Sequence, residues 1–110
     1  MTLTIADRWS GPFHVVELGG DIDIDTARDL RSHFIDRIAY DSSRVVVDLT
    51  NVEFVDSSGL GALISGWHIT RDKGEFRLAG ANVSVQRVLT ITGMHDVFQL
   101  YPTVSAATTE

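Results

Sequence analysis

The alternation of apolar and polar residues divides the N-terminal part of the chain into two short strands. The runs LTIADRW and FHVVEL are both typical of strands, and Ser10-Gly11-Pro12 between them is typical of a turn. The pattern therefore predicts a β-hairpin. Gly19-Gly20 is expected to end its second strand, and the acidic segment DIDID, which holds Asp21, Asp23 and Asp25, follows.

The next segment, from about Thr26 to Tyr40, has the periodicity of a helix. Thr26 is expected to cap this helix, because Asp29 three residues later suits a capping box. Apolar residues at helical spacing predict its buried stripe, which is Ala27, Leu30, Phe34 and Ile38.

Strands and helices continue to alternate towards the C-terminus. The apolar run RVVVDL, Arg44 to Leu49, is typical of a central strand buried on both faces. A second helix is predicted to end near Asp72 to Gly74, with Trp67 in the core beside Leu60 and Leu63. A strand follows from Glu75 to about Ala79.

The segment NVSVQRVLTITG fits a strand or a helix by periodicity alone. Asn82 as an N-cap and Gly93 as a C-terminal stop favour the helix. VFQLY then predicts a last short strand, and the tail from Thr103 a helical turn. The order β-β-α-β-α-β-α-β predicts one α/β domain over residues 1–110, with a mixed, mostly parallel sheet and an N-terminal edge hairpin.

Composition narrows the classes of function. A net charge of −6 argues against a general nucleic-acid binder and suits a protein that meets a basic partner surface. The chain has no cysteine, which excludes disulfides, thiolate metal sites and cysteine nucleophiles. The start, MTLTIADRW, lacks the features of a signal peptide, and the longest uncharged run, Ser57 to Thr70, is shorter than the ~20 residues of a membrane span. We therefore expect a cytoplasmic protein without membrane contact.

The stretch FVDSSGLGALISGW, Phe54 to Trp67, is the richest in candidate chemistry. A nucleophilic serine needs a base within hydrogen-bond reach, and the stretch lacks the G-x-S-x-G elbow of hydrolases. The four histidines offer no such base. His14 lies in a predicted strand, and His33 lies beside Phe34 on a helix. His68 is too far along the serine helix, and His95 follows a helix stop. We therefore do not expect a serine hydrolase.

Phosphate and metal sites are also disfavoured by the pattern. No lysine follows the glycines of DSSGLG, and neither the G-x-G-x-x-G nor the P-loop spacing is present. DIDID lacks the glycine and the distal glutamate of an EF-hand loop, so a solvated acidic turn is the better interpretation. The sequence therefore predicts no cofactor and no metal.

The polar residues Asp56, Ser57 and Ser58 suit the N-cap of a helix, where side-chain oxygens satisfy free backbone amides. Gly59 and Gly61 behind them are poor helix formers, costing about 1 kcal/mol each relative to alanine. A first turn of small, exposed residues suits close approach by another protein and leaves a hydroxyl open to a kinase. Capping alone, or capping together with such a function, both remain open at this point.

The segment VDLTNVEFVDSSGLGALI, Val47 to Ile64, resembles the signature of the STAS domain, in particular that of the bacterial anti-sigma factor antagonists. LGGDIDIDTARDLR resembles the family's G-E-L-D stretch, with Asp21 in place of the commoner glutamate and Ile22 in place of leucine. VQRVLTITGMHDVFQLYPTVSAA is similar to its C-terminal helix-Gly-strand segment. The resemblance covers nearly the whole chain and implies a STAS fold with helices mainly on one face of the sheet.

The resemblance also implies a function. Such antagonists are not enzymes; they bind an anti-sigma factor, usually a serine kinase of the histidine-kinase-like ATPase class, and so release a sigma factor. The kinase phosphorylates the first serine after the aspartate, here Ser57, and a serine phosphatase reverses this. The residues expected at the partner surface are Asp23, Asp56, Ser57, Ser58, Gly59 and Gly61. The alternative is a constitutive STAS scaffold in a transporter or stress-signalling complex, without phosphorylation.

Overall fold

The fold is a five-stranded sheet whose strands follow one another in chain order. It is seen in a computed structural model that describes residues 2–41 and 44–109. The first two strands are antiparallel and the remaining pairs are parallel, which confirms the predicted edge hairpin and mixed sheet. The strands are β1 Leu3–Ser10, β2 Phe13–Ile22, β3 Arg44–Val55, β4 Glu75–Ala79 and β5 Gln99–Tyr101.

In the described part of the chain, four α-helices and one 3-10 turn, Met94–Asp96, connect and follow the strands. The predicted order of elements is confirmed, including the helix after Asn82, whose side chain accepts a hydrogen bond from the Val85 amide. The helices are α1 Ala27–Asp41, α2 Ser57–Thr70, α3 Val83–Ile91 and α4 Val104–Ala107.

The larger core lies between one face of the sheet and helices α1, α2 and α3. The predicted stripe of α1 is fully buried in it, and Phe34 of that stripe meets Phe76 of β4 edge to face with ring centroids 5.7 Å apart. Burial of this stripe, rather than the weak helix propensity of its β-branched and aromatic members, holds α1 in place. The expectation that helices pack mainly on one face is confirmed.

A smaller core on the opposite face is closed by α4. It consists of Phe13, Val15, Val46, Ala79 and Ala107. Arg77 fastens this helix, because its Nη1 donates a hydrogen bond to the Ala107 carbonyl at 2.7 Å, while its guanidinium lies over the Phe13 ring at 4.9 Å. Strand β3 is therefore buried on both faces, as its apolar run predicted.

One sequence prediction about the sheet is wrong, and one about α2 holds only in part. Gly19-Gly20 does not end β2, which continues to Ile22. The pairing with β3 shifts on both sides of the glycines, and Gly20 has a φ of 102°, so the pair marks an irregularity of the strand that only glycine accommodates well. Trp67 is partly buried against the core and is not enclosed by it, with the Arg71 guanidinium 5.4 Å from its ring centroid.

A carboxylate joins the edge strand to the rest of the domain. Asp7 of β1 lies between His14 of β2, whose Nε2 is 2.6 Å from Oδ1, and His33 of α1, whose Nε2 is 2.8 Å from Oδ2. His14 is only 4% exposed, and the Trp9 ring stacks on it. Burial alone would raise the pKa of Asp7, but hydrogen bonds from His33 and His14 and their charges outweigh it and hold the pKa below its usual value.

The pKa of Asp7 is lower in the folded state than its ordinary value of 3.8. Its carboxylate therefore stabilises the fold at pH values above 3.8, and this contribution is lost as the pH falls below 3.8 towards the folded-state pKa. We expect Asp7→Asn to lower the free energy of unfolding at neutral pH by about 1.5–3 kcal/mol, the range for hydrogen bonds to charged groups. The difference from wild type should shrink as the pH falls below 3.8. Chemical denaturation at a series of pH values measures it.

The matched control is Asp36→Asn, which neutralises an exposed carboxylate on α1. We expect it to change stability by less than about 0.5 kcal/mol. A difference between Asp7→Asn and wild type that is constant across the acid range would contradict the assigned role of the charge.

Candidate functional site

The site forms where the parallel strands β2 and β3 end side by side. Ile22 pairs with Val55 in the register, and the Asp56 amide donates a hydrogen bond to the Ile22 carbonyl at 3.2 Å. The turn after β2 and the first turn of α2 are therefore neighbours. The carboxyl edge of a parallel sheet is where α/β domains usually place their binding residues.

Asp56 is the residue that caps α2. Its backbone is extended and its Oδ1 accepts a hydrogen bond from the Gly59 amide at 2.9 Å. Ser57, the first helical residue, is exposed, and its hydroxyl forms no hydrogen bond with any residue in the described ranges. Ser58 is partly buried. Because one carboxylate does the capping, the Ser57 hydroxyl faces solvent without a structural task.

Asp23 shapes the neighbouring turn. It is 5% exposed, and its Oδ1 accepts hydrogen bonds from the amides of Asp25 at 2.9 Å and Thr26 at 3.2 Å. The Thr26 hydroxyl donates to the Asp21 carbonyl at 2.8 Å and accepts from the Asp23 amide. The predicted capping box of Thr26 and Asp29 is therefore wrong, since the threonine is committed to the turn. Direct contact between Asp23 and a partner stays a prediction.

The two glycines of the first turns of α2 have different surroundings. Gly59 is buried, and a Cβ there would overlap the Ile22 carbonyl oxygen and come within 2.8 Å of the Ile22 Cγ2. Gly61 is partly exposed, and a Cβ there would meet Nη2 of Arg31 at 2.8 Å. Gly59 thus permits close packing of α2 on β2, whereas Gly61 leaves room for a side chain of α1. Contact of either glycine with a partner stays a prediction.

Two exposed apolar residues of the site were missed by the sequence analysis. Ile24 is 75% exposed in the turn after β2, and Phe54, opposite Asp21 in the register, is 45% exposed. The sequence held the signal, because side chains alternate between the two faces of a strand. Val55 is buried, so its neighbour Phe54 points to the opposite face, and Ile24 lies beyond Ile22, the last buried residue of β2. Apolar side chains left in solvent beside polar ones are typical of interaction sites.

The structure gives none of the four histidines a hydrogen bond to Ser57 within the described ranges. His14 is opposite Val45, at the other end of β3 and roughly 30 Å along the strands from Val55. His33 shares Asp7 with it. His68 is three turns along α2, roughly 16 Å from Ser57. The fourth, His95, lies in the 3-10 turn, where its Nε2 is 3.4 Å from Asp96 Oδ1.

Residues 2–41 and 44–109, which the structure describes, contain neither a cluster of metal ligands nor a helix able to span a membrane. Within these ranges, no group of three or more histidine, aspartate and glutamate side chains is arranged to hold a metal ion. None of the helices seen in the same ranges has the length and apolar character required to cross a bilayer.

Comparisons with known proteins point to one family. The model of the STAS domain matches residues 5–107. An anti-sigma F factor antagonist of Paenibacillus polymyxa is 30% identical over 98 residues, which cover 87% of this chain and 84% of the relative. An anti-sigma-B factor antagonist of Staphylococcus aureus is 28% identical over 102 residues, which cover 91% of this chain and 94% of the relative.

A solved structure agrees with these matches. The crystal structure of an anti-sigma factor antagonist from Mycobacterium paratuberculosis superposes with a TM-score of 0.89 at 28% identity, covering 96% of this chain and 91% of that one. The fold is thus that of a small α/β regulatory domain with a mixed sheet. The chain belongs to the STAS domain family, which confirms the resemblance found in the sequence.

The contrast between the two glycines is testable. Gly59→Ala places a methyl group against the backbone of β2, which cannot yield as a flexible side chain does, so we expect a loss of about 1–3 kcal/mol in the free energy of unfolding. Gly61→Ala displaces only the end of Arg31 and gains helix propensity, so stability should stay the same or rise by up to about 1 kcal/mol. Urea denaturation of both variants measures this, and equal effects would refute the distinction.

Proposed function

We propose that this protein is an anti-sigma factor antagonist that binds an anti-sigma factor and thereby releases a sigma factor for transcription. The proposed partner is a serine kinase of the histidine-kinase-like ATPase class, which phosphorylates Ser57 and so ends the binding. A serine phosphatase restores it, completing a partner-switching cycle in the cytoplasm. The relatives that bear the name antagonist support this, because they match over most of their own length. We propose no enzymatic activity, cofactor, nucleic-acid contact or membrane contact for the domain.

The observation that carries the proposal is the exposed hydroxyl at the first residue of α2. Ser57 is accessible, and Asp56 has taken the capping role that would otherwise occupy a serine. A kinase that approaches this turn therefore meets a hydroxyl that can be modified without breaking a hydrogen bond of the fold. Ser58 is less accessible, which favours Ser57 as the target.

We define the antagonist surface as the residues displayed around this hydroxyl. Its apolar members, Ile24 and Phe54, are suited to anchor a partner, since binding energy concentrates in a few buried apolar contacts. Its acidic member, Asp56, favours a basic partner surface. The accessible residues of the surface are Ile24, Phe54, Asp56, Ser57, Ser58 and Gly61, and the buried Asp23 and Gly59 shape the turns beneath them.

Phosphorylation of Ser57 is expected to weaken binding to the partner without destabilising the fold. A phosphate adds about −1.5 to −2 charges, and the N-terminus of a helix favours negative charge through its dipole and free amides. The modified domain should therefore remain folded. The same charge beside Asp56, in a closely fitted interface, adds bulk and like-charge repulsion that weaken binding.

Variants of the two serines test the switch. Ser57→Ala should keep the fold and bind the anti-sigma factor as wild type does, but it should accept no phosphate. Ser57→Asp should also fold and should bind at least about a hundredfold more weakly, since like charges in an interface cost several kcal/mol and about 1.4 kcal/mol is tenfold. Calorimetric titration with the anti-sigma factor measures affinity, and mass spectrometry after incubation with the kinase and ATP locates the phosphate.

Ser58→Ala is the control, and it should bind and be phosphorylated as wild type is. Phosphate on Ser58 in place of Ser57 would show that the target is assigned to the wrong residue. Equal affinities for wild type, Ser57→Ala and Ser57→Asp, with no phosphate on any residue, would contradict the switch and favour a constitutive scaffold.

A further inference from the structure

The side chain of Arg31 reaches from α1 to the first turns of α2. Its Nη2 lies 2.8 Å from the position that a Cβ of Gly61 would occupy. Among the described residues, and apart from the backbone of α2 and the two neighbours of Gly61, no other atom comes within 4 Å of that position. The guanidinium thus uses the space left by the missing side chain of Gly61. This contact places a cation of one helix beside the N-terminal end of the next.

Gly61 lies one helical turn after Ser57, on the same face of α2. Cβ positions four residues apart in a helix are about 5–6 Å apart, and Cβ bonds tilt towards the helix N-terminus. The Arg31 guanidinium therefore lies within about 9 Å of the Ser57 Cβ. A phosphate on the Ser57 hydroxyl would extend into this gap, and the long arginine side chain needs only a change of rotamer to meet it.

Arg31 is available for such a partner. The side chain is exposed, and none of the described residues forms an ion pair or hydrogen bond with it. The Asp56 carboxylate at the N-cap of α2 is engaged with the Gly59 amide. Arginine suits a phosphate because its planar guanidinium can donate two parallel hydrogen bonds to it.

We propose that Arg31 pairs with the phosphate on Ser57 and holds it against the start of α2; the biological use of this pairing rests on the proposed modification of Ser57. The pairing fixes the phosphate between the guanidinium and the free amides of α2 and draws Arg31 away from Gly61. Phosphorylation then changes the antagonist surface in two ways, because it adds an anion at Ser57 and commits a nearby cation.

The test uses protein in which phosphoserine is incorporated at position 57 during translation, so that no kinase is needed. Titration followed by phosphorus-31 NMR gives the second pKa of the phosphoserine, which is about 6 without a partner. A nearby cation lowers this pKa. We expect Arg31→Gln to raise the proton affinity of the phosphate by about 1.5-fold to fivefold, the size of an exposed charge pair. Arg31→Lys should give a smaller increase, because it keeps the charge and loses the paired donors.

Arg37→Gln is the matched control, because it removes the same charge from an exposed position of α1 farther from Ser57 and should leave the titration unchanged. The unphosphorylated Arg31→Gln protein should keep the wild-type thermal midpoint, and if it did not, Arg31→Lys would carry the test. The same titration curve for wild type and Arg31→Gln, or equal shifts for Arg31→Gln and Arg37→Gln, would overturn the proposal. These outcomes do not depend on the kinase assay, so failure of the pairing is distinguishable from failure of the switch.

Discussion

The packing of Gly59 beneath the Ile22 carbonyl is the constraint on which the antagonist surface depends. It brings the start of α2 against the end of β2, and the hydrogen bond from the Asp56 amide to the same carbonyl fixes the approach. Because Asp56 is held there, its carboxylate reaches the Gly59 amide and caps the helix. Ser57 is then left exposed at the first helical position. The packing of Gly59 on Ile22 at this end of the sheet therefore also leaves the Ser57 hydroxyl exposed to solvent.

The Asp7 cluster and the serine proposed to switch the domain lie at opposite ends of the parallel strands. Asp7, His14 and His33 tie the edge hairpin to α1 near the start of β2, whereas Ser57 follows the end of β3. A charge added at Ser57 is far from this cluster in a solvent that screens exposed charges over roughly 10 Å. This separation is consistent with a modification that alters binding and leaves the fold intact.

Local patterns were enough to predict most of the fold. Helical periodicity identified the stripe of α1, and Asn82 and Gly93 resolved the ambiguous segment as a helix because caps act within one turn. Predictions failed where a contact beyond one helical turn decides the local structure. Thr26 bonds to Asp21 across the turn, and Gly19-Gly20 continues a strand because β3 pairs with it.

The candidate site was likewise predicted only where local sequence patterns determine it. Its position after β3 and its capping residues follow from the short segment DSSGLG. The tasks of Gly59 and Arg31 do not, since both depend on how α1, α2 and β2 approach one another.

NMR mapping of the labelled protein with unlabelled anti-sigma factor tests the central claim most directly. We predict that amide signals of residues 22–26 and 54–61 shift or broaden, while those of His14, His33 and α4 do not; changes concentrated on α4 or the β1 edge would contradict the account.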